Sequence, residues 1–391
     1  MKRILCTFAA AAVFVACSQE SLDSIAERVF DLAEYQYTEM DALLPGDQLP
    51  KSFENGRLST WKSEWWCSGF YPGSLWYIYL YTQDENIRAL AEKNTEKVRP
   101  EAYRNVTHDI GFMINCSFGN GMKFGGHKDY ESVLVEAAGN LAKRYLPTTH
   151  TTRSWNGGGP DGTWKFPVIV DNMMNLELLM EAWKICGADS LKAIAIDHAN
   201  TTMANQFRDD YTAWHVVDYD PEDGHVRSKV THQGYSDDSA WARGQAWGLY
   251  GYTMMYKETA DKAYLEQAMH IGDMLIEKLP EDGIPFWDFN DPAIPYTFKD
   301  ASAGAIIASA YADLCRLCGD KVSARKYKKL AIKQVRALAS DRYLASKGEN
   351  GHFILKHSVG SLPGKSEIDV PLTYADYYFL EAILRLTGKL N

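Results

Sequence analysis

The amino-acid sequence predicts an all-α protein, an (α/α)6 barrel in which six helical hairpins close into a ring. Apolar residues recur with helical periodicity along the chain and indicate about twelve helices. Many of these helices are joined in pairs by short turns, such as 259–261 and 318–320, which is typical of helical hairpins. The alternative architecture is an open solenoid of helical repeats. The predicted helices cover residues 22–42, 67–83, 84–99, 108–118, 127–145, 170–186, 188–207, 239–258, 261–278, 299–318, 321–340 and 371–388.

The connections between hairpins are much longer than the turns within them. Structureless loops of this length inside a compact domain usually carry function, and their many Trp and His residues argue against disorder. One of them contains 220–224, which predicts a turn between two short strands. Because all of them join consecutive hairpins, we expect them to gather at one end of the barrel as the active-site face. They span about 43–66, 146–169, 208–238, 279–298 and 341–370.

The N-terminus is typical of an export signal. Lys2 and Arg3 precede the apolar run 4–15, which is too short to cross a bilayer as a mature helix. The run ends in Phe14-Val15-Ala16-Cys17, which resembles a bacterial lipoprotein signal with Cys17 as the lipidated residue; cleavage by an ordinary signal peptidase is the alternative. The sequence therefore predicts a signal peptide over 1–17 and a single catalytic domain over 18–391. The protein is expected to be an exported lipoprotein, periplasmic or associated with the outer membrane of a Gram-negative-type bacterium.

The charge balance limits the partners of the protein. The chain of 391 residues has a formal net charge of -10. Nucleic acid is therefore not expected as a partner, because phosphate binding requires a basic face. A small anionic substrate remains compatible, since a local pocket can be basic on an acidic protein. The lipid anchor at Cys17 is the one membrane attachment that the sequence predicts.

Two aspartates are candidates for acid and base catalysis. Asp109 and Asp171 each follow a loop and open an apolar helical stretch. One interpretation is that each caps its helix by accepting hydrogen bonds from free N–H groups. The other is an acid/base pair at the rim of the barrel. A carboxyl group that donates a proton near neutral pH needs a raised pKa, which a second carboxylate and Trp walls would provide.

A dense polar and aromatic stretch, residues 231–248, supplies further candidates. Trp241, Arg243 and Trp247 fall at the start of a predicted helix, and the planar fork of Arg243 matches a carboxylate. The alternative is a helix start with ordinary surface charge. Trp155 lies in a Gly-rich loop, where stacking on a sugar ring is easier to explain than packing in a core.

With these motifs in view, the chain resembles unsaturated glucuronyl hydrolase, glycoside hydrolase family 88. The resemblance is carried by His108-Asp109-Ile110-Gly111-Phe112, by Asp171-Asn172-Met173-Met174-Asn175-Leu176 and by the run 241–247, and it extends from 66–73 to 376–382. It implies an (α/α)6 barrel without a metal ion or an organic cofactor. The implied substrate is a 4,5-unsaturated uronic acid at the non-reducing end of a disaccharide or short oligosaccharide.

The resemblance also implies roles for individual residues. Asp171 matches the catalytic acid/base of the family, and Asp109 matches its partner carboxylate. In this hypothesis Asp171 protonates C4 of the substrate and then activates a water molecule that adds at C5. The resulting hemiketal collapses and releases the remaining sugar. The residues that match the lining of the sugar site are Trp66, His108, Trp155, His215, Gln233, Trp241, Arg243, Trp247 and Tyr374.

The loop before the last helix bears on the choice of substrate. Some relatives that act on sulfated chondroitin disaccharides carry Ser-x-x-Ser-x-Lys near this place, and this chain has Ser358 and Ser361, with Pro363 at the Lys position and Lys365 two residues later. Lys365 could reach a sulfate as a point charge, and an ordinary turn is the alternative. Glycosaminoglycan fragments of chondroitin, hyaluronan or heparin type are therefore expected.

Two other functions remain open from the sequence. An unsaturated rhamnogalacturonyl hydrolase, which acts on pectin fragments, would share the barrel and the vinyl-ether chemistry. A non-catalytic glycan-binding lipoprotein built from helical repeats would explain the anchor and the aromatic loops, but it would not require acids at two helix starts.

Overall fold

The computed structural model describes residues 20–390, in which helices alternate along the chain between an inner and an outer ring. The inner helices are α2 (Phe70–Thr82), a π-helix (Gly111–Gly119) that continues as α4 (Asn120–Gly125), α6 (Asn172–Cys186), α8 (Ala242–Thr259), α10 (Ala301–Leu317) and α12 (Thr373–Leu386). The outer helices are α1 (Leu22–Leu43), α3 (Glu85–Val98), α5 (Tyr130–Ala142), α7 (Asp189–Asn205), α9 (Lys262–Lys278) and α11 (Lys321–Leu338).

Burial distinguishes the two rings. Most positions of the inner helices are buried all round, because each helix packs between two inner neighbours and the outer ring. The outer helices are amphipathic. In α11 the buried positions Tyr327, Ala331, Val335 and Leu338 repeat every three or four residues, and lysines cover the other face. The outer helices are thus a polar shell around one apolar core.

The inner ring is closed. Each inner helix contacts the next one, and the last, α12, packs against the first, α2. A solenoid would leave its first and last repeats apart, so the structure confirms the (α/α)6 barrel and excludes the open alternative.

The two ends of the barrel differ in the length of their connections. Short turns such as 83–84, 187–188 and 260–261 follow the inner helices, whereas the long loops precede them. Asp84, Asp261 and Asp320 in the short turns accept hydrogen bonds from first-turn N–H groups of the outer helices. The prediction that the long loops share one end is confirmed: they all meet at the N-terminal ends of the inner helices.

One predicted helix has a different geometry. The stretch 108–118 was expected to be an α-helix, but a π-helix occupies Gly111–Gly119. The N–H group of Phe112 donates to the side chain of Asn175 on α6 instead of to a helical carbonyl (2.9 Å). π-helical turns are rare and occur frequently at functional sites.

The long loops contain nine short strands within the described residues. They form the hairpins β1 (Leu49–Glu54) with β2 (Arg57–Trp61), β3 (Tyr145–Leu146) with β4 (Thr151–Thr152) and β8 (Ser358–Ser361) with β9 (Ser366–Val370), and a three-stranded sheet of β5 (Phe166–Ile169), β6 (Val216–Tyr219) and β7 (Val226–Val230). The predicted turn at 220–224 does connect two strands, β6 and β7. The strand β5, which pairs with β6 across 46 intervening residues, was not predicted.

The predicted signal peptide 1–17, including Cys17, lies outside the described residues. In the part of the chain that is described, no helix is both long and apolar enough to cross a membrane.

Candidate active site

A cavity of about 330 Å³ opens where the inner helices begin. Trp66 precedes α2, Asp109 precedes the π-helix, Asp171 precedes α6, and Arg243 and Tyr374 lie in the first turns of α8 and α12. The residues that line the cavity are Trp65, Trp66, His108, Asp109, Trp155, Ile169, Asp171, His232, Gln233, Arg243, Gly360, Ser361, Ser366, Glu367 and Tyr374.

Asp171 is positioned by the three-stranded sheet. β5 ends two residues before it, and the N–H group of Val170 donates to the carbonyl of His215 (3.0 Å). Asp171 occupies the N-cap position of α6, but its side chain makes no capping hydrogen bond. Its Oδ2 has no hydrogen-bond partner among the described residues. The side chain of Asp171 therefore does not cap its helix, which was the alternative interpretation of this residue.

The surroundings of Asp171 favour its protonated form. Burial raises the pKa of this carboxyl group to about 7 against the opposing charge of Arg243, and the negative charge of Asp109 acts in the same direction as burial. At neutral pH the group exists in both protonation states, which is the condition for giving and taking a proton in one reaction cycle.

Asp109 faces the same cavity from the loop before the π-helix. Its Oδ2 accepts a hydrogen bond from the hydroxyl of Thr107 (2.6 Å), and its Oδ1 lies 3.3 Å from Nε2 of His108. In the structure, as predicted, the two carboxylates thus meet at one Trp-walled cavity. The catalytic roles of Asp109 and Asp171 stay predictions.

His215 is held as a neutral hydrogen-bond donor. Its Nδ1 accepts from the backbone N–H groups of His232 (3.0 Å) and Gln233 (3.1 Å), so the proton must be on Nε2. Nε2 lies 3.7 Å from Oδ2 of Asp171. Burial lowers the pKa of His215 well below its usual value, which keeps the ring uncharged. The pairing of β6 with β5 and β7 brings His215 next to Asp171.

His108 has the same arrangement beside the other carboxylate. Asn175 accepts from the N–H group of Phe112 through Oδ1, which turns its NH2 group toward Nδ1 of His108 (3.4 Å). Nδ1 is therefore an acceptor, and the proton on Nε2 faces Asp109. Gly111 makes this approach possible, because a Cβ at that position would lie 2.5 Å from Oδ1 of Asn175.

Aromatic side chains form two walls of the cavity. Trp66 packs on Tyr374 with ring centroids 4.9 Å apart, and Trp155 stacks on Trp164 at 5.9 Å with an interplanar angle of 16°. Trp155 is brought in by a bridge to Thr107, next to the histidine and aspartate of the first motif. Such faces suit the apolar sides of sugar rings.

Arg243 lines the cavity, but its fork is engaged elsewhere. Its guanidinium donates to the carbonyls of Val359 and Gly360 and to the Asp300 carboxylate (3.2 Å), and it is 1% exposed. Bidentate binding of a substrate carboxylate by this fork, expected from the sequence, is therefore not available in this arrangement. Arg243 contributes positive charge and anchors the β8–β9 hairpin.

Three predicted lining residues lie behind the cavity surface. Trp241 packs against His215 (4.6 Å between ring centroids), and Trp247 packs against Phe112 (5.2 Å). Both indoles are buried and support the residues that line the cavity. His215 is also buried and lies behind Asp171. The sequence predicts direct contact of both indoles with substrate, but neither lines the cavity: Trp241 directly precedes α8, and Trp247 lies in its second turn.

The predicted sulfate-binding set is not brought together. Ser361 lines the cavity, but Ser358 is fully buried, because residues three apart on a strand face opposite sides. Lys365 lies exposed in the turn of the hairpin and, unlike its neighbour Ser366, is not among the lining residues. Sulfate binding by Ser358 and Lys365 stays a prediction, which the burial of Ser358 does not favour.

Sequence reasoning missed several residues at the site. Asn175 follows Asp171 by four residues and so shares its helix face, which was a usable signal. Trp65 directly precedes the predicted Trp66. His232 lies in the stretch 231–248 that the sequence singled out, next to the predicted Gln233, whereas Glu367 gave no local signal, because strand pairing brings it to the cavity.

A second cavity, of about 410 Å³, lies at the opposite end of the barrel. Its charged side chains are largely paired with each other, such as Lys123 with Glu181 (3.2 Å) and Lys184 with Glu258 (2.6 Å). Neither aspartate of the candidate pair lines it. Among residues 20–390 no group of three or more His, Cys, Asp or Glu side chains is arranged to hold a metal ion.

Comparison with known proteins identifies the family. The chain is 46% identical to an unsaturated glucuronyl hydrolase of Formosa agariphila over 323 residues, which are 82% of this chain and 79% of the relative. The chain belongs to the unsaturated glucuronyl hydrolase family. It is thus a glycoside hydrolase, and the non-catalytic alternative is excluded. No protein-family model matches the chain.

Solved structures of unsaturated glucuronyl hydrolases share the fold. A crystal structure of such an enzyme specific for heparin superposes with a TM-score of 0.90 at 43% identity, covering 94% of this chain and 98% of that one. A mutant of the Streptococcus agalactiae enzyme complexed with dGlcA-GalNAc6S matches with a TM-score of 0.77 at 26% identity, covering 93% and 92%. These comparisons favour the glucuronyl type over the rhamnogalacturonyl alternative.

Proposed function

We propose that this enzyme removes the 4,5-unsaturated uronic acid from the non-reducing end of lyase-generated glycosaminoglycan disaccharides and short oligosaccharides. The observation that carries the proposal is the Asp171 carboxyl group. It is buried, has a pKa raised to about 7, lacks a hydrogen-bond partner at Oδ2 among the described residues, and belongs to a residue that lines a Trp-walled cavity shared with Asp109. The specificity for heparin of one relative and the dGlcA-GalNAc6S bound to another support a glycosaminoglycan substrate.

The architecture supports binding of an anionic sugar on an acidic protein. The N-terminal ends of the inner helices point toward the cavity, and each carries a partial positive charge from its unpaired N–H groups. Arg243 adds a buried positive charge in the cavity wall. The uronate group can therefore be held by helix ends and this charge.

The first step is protonation of the double bond. The C4=C5 bond is part of a vinyl ether, and protonated Asp171 gives its proton to C4. Positive charge then develops on C5 and is shared with the ring oxygen. The negative charge of Asp109 stabilises it in a cavity partly screened from water. The hydroxyl of Thr107 holds Asp109 by a hydrogen bond, and the neutral ring of His108 lies beside it.

The second step is addition of water. The Asp171 carboxylate accepts a proton from a water molecule whose oxygen bonds to C5, which restores the acid and forms a hemiketal. Gln233 lines the cavity and is placed to orient this water. Nε2 of His215 lies 3.7 Å from Oδ2 of Asp171 and supports the carboxylate from behind. The hemiketal collapses, the C5–O bond of the ring breaks, and the hemiacetal left at C1 releases the remaining sugar.

The experiment is a panel of unsaturated disaccharides from chondroitin, hyaluronan, heparin and rhamnogalacturonan, followed by loss of the ultraviolet absorbance of the double bond. We expect the enzyme to turn over the glycosaminoglycan disaccharides of the panel. Asp171→Asn should lower kcat by at least about 10²-fold, which is the factor that general acid–base catalysis contributes to a rate. Circular dichroism of the variant checks that the fold is retained. Near-full activity of Asp171→Asn, or preference for the rhamnogalacturonan disaccharide, would overturn the proposal.

We further propose that the enzyme is exported and anchored through a lipid at Cys17, in the periplasm or at the outer membrane. The support is the sequence of the first 17 residues. Radiolabelled palmitate should be incorporated into the wild-type protein expressed in a Gram-negative host and not into Cys17→Ser. Equal labelling of the two proteins, or none of either, contradicts the anchor.

A further inference from the structure

Glu367 is a carboxylate of the cavity wall that the mechanism does not use. It lies on β9, in the left-handed backbone region with φ of 56°, which is costly for a residue with a side chain. On the paired strand, Gly360 makes space for it, because a Cβ there would lie 2.5 Å from Oε2 of Glu367. A strained backbone and a matching glycine thus place this carboxylate at the cavity.

Lys51 holds Glu367 from behind. Its Nζ lies 3.6 Å from Oε1 of Glu367, and the two side chains are 16% and 11% exposed. The ammonium also lies 4.2 Å from the ring centroid of Trp65. Glu367 and Trp65 line the cavity, whereas Lys51 is not among the lining residues. The substrate therefore meets the carboxylate first.

We propose that Glu367 selects substrates by their sulfation: it accepts hydrogen bonds from sugar hydroxyl groups at the β8–β9 wall and excludes a sulfate ester from that place. A hydroxyl can donate to the carboxylate. A sulfate ester carries a negative charge and only acceptor oxygens, so it is repelled and forms no hydrogen bond there. This inference rests on the proposed function, because it concerns the same substrate.

The surroundings of Glu367 act on the charge of its carboxyl group in both directions. Burial raises the pKa of this group above its usual value, and the charges of Lys51 and Arg243 oppose the shift without cancelling it. Arg243 donates its hydrogen bonds to backbone carbonyls and to Asp300. The negative charge of Glu54 also raises the pKa of Glu367. Lys51 is the side chain in direct ionic contact with the carboxylate, and it favours the charged form.

The test compares unsulfated disaccharides with disaccharides sulfated singly at each position, using wild type and Glu367→Gln. The amide keeps the shape and one acceptor but removes the charge, and it leaves the Lys51 ammonium without its anion. We expect the ratio of kcat/KM for a sulfated over the matching unsulfated disaccharide to rise about tenfold or more, equivalent to about 1.4 kcal/mol. Glu54→Gln, an exposed neighbour on β1, removes the same charge outside the cavity and should leave the ratio unchanged.

A second variant keeps the test decisive. In Glu367→Gln/Lys51→Met the rise in the kcat/KM ratio should be smaller than in Glu367→Gln, because the Lys51 ammonium that lost its anion is removed as well. Binding of the same sugars to Asp171→Asn and to Asp171→Asn/Glu367→Gln, measured by calorimetry, should show the same shift in selectivity. Equal losses for sulfated and unsulfated sugars in Glu367→Gln, or a wild-type enzyme indifferent to every sulfate, would overturn the proposal. Lack of turnover of every unsaturated disaccharide by wild type would instead overturn the proposed function.

Discussion

Two buried aspartates of this enzyme have the same raised pKa and opposite surroundings. The pKa of Asp171 and of Asp376 is about 7 in each case, and burial is the main cause. Asp376 accepts hydrogen bonds from the hydroxyl of Tyr37 (3.1 Å) and the N–H groups of Ile354 (2.9 Å) and Leu355 (2.8 Å). Oδ2 of Asp171 has no such partner among the described residues, and Asp171 lines a cavity. At the residue scale, the missing partner rather than the pKa distinguishes the reactive carboxyl group from the structural one.

Asp171 should make the folded enzyme less stable as pH rises. Its carboxyl pKa is about 7 in the fold against 3.8 for the free group, so the stability that this group contributes is fully present below pH 3.8, is lost as pH rises through 7, and does not change further at higher pH. The difference corresponds to a free energy of unfolding of up to roughly 4 kcal/mol. Asp171→Asn should therefore have a higher Tm than wild type, by a margin that grows between pH 4 and 7 and then levels off. A margin that shrinks over this range would contradict the assigned pKa.

Asn175 should control the protonation of His108. In Asn175→Asp one oxygen can still accept from Phe112, but the other then faces Nδ1 of His108 and requires a proton there. We expect the histidine ¹⁵N NMR spectrum to show a protonated Nδ1 and kcat to fall on the order of 10²-fold, because the protonation of the ring beside Asp109 is changed. His108→Gln should retain more activity than His108→Ala, since its amide can replace Nε2–H.

Asn200→Asp is the matched control for this substitution. Asn200 acts there only as an acceptor for the hydroxyl of Tyr264 (2.9 Å), a role that a carboxylate can keep. An Asn175→Asp enzyme with the wild-type tautomer, or with full kcat, would show that Asn175 merely packs against Gly111.

At the element scale, three side chains around the acid are positioned by strands that adjoin them in the sequence. β5 carries Asp171 to the start of α6, β6 starts directly after His215, and β7 ends two residues before His232. The sheet has its own small core, which contains Phe166, Val168, Val217 and Tyr219. The geometry of the acid and its histidine therefore depends on a long-range pairing rather than on either helix.

Asp376 should stabilise the contact between α12, α1 and the loop before β8. Asp376→Ala leaves three buried donors without an acceptor, so we expect the free energy of unfolding to fall by roughly 3 kcal/mol or more. Urea denaturation at pH 8 measures this, and Asp376→Asn, which keeps one acceptor oxygen, should lose less. A loss below about 1 kcal/mol for alanine would mean that water replaces the carboxylate.

At the scale of the whole molecule, closure of the inner ring makes the barrel one unit. Tyr377 on α12 packs on Tyr77 on α2 with ring centroids 4.8 Å apart, and their hydroxyls lie 3.0 Å from each other. This contact joins the last inner helix to the first. The same closure gathers helix N-termini around one cavity.

Weakening the closing contact should destabilise all hairpins together. Tyr377→Ala removes a large buried side chain, which costs about 3–5 kcal/mol for comparable truncations. Differential scanning calorimetry should show one transition at lower temperature. The appearance of a separate early transition would indicate that the terminal hairpins unfold alone, as in a solenoid.

The sequence by itself determined the helices, their pairing and the identity of the two acids. Helical periodicity depends on neighbours a few residues apart, so α11 and the other amphipathic helices could be predicted from local spacing. The motifs around Asp109 and Asp171 also lie within single short segments, which made them recognisable as candidate chemistry.

The tertiary structure alone decided which residues face the substrate. Strand pairing places Glu367 and His232 in the cavity lining, to which Lys365 does not belong, and packing makes Trp241 and Trp247 supports. The fork of Arg243 is taken by carbonyls more than a hundred residues away along the chain. Burial and side-chain direction are set by contacts between distant segments, and no local spacing encodes them.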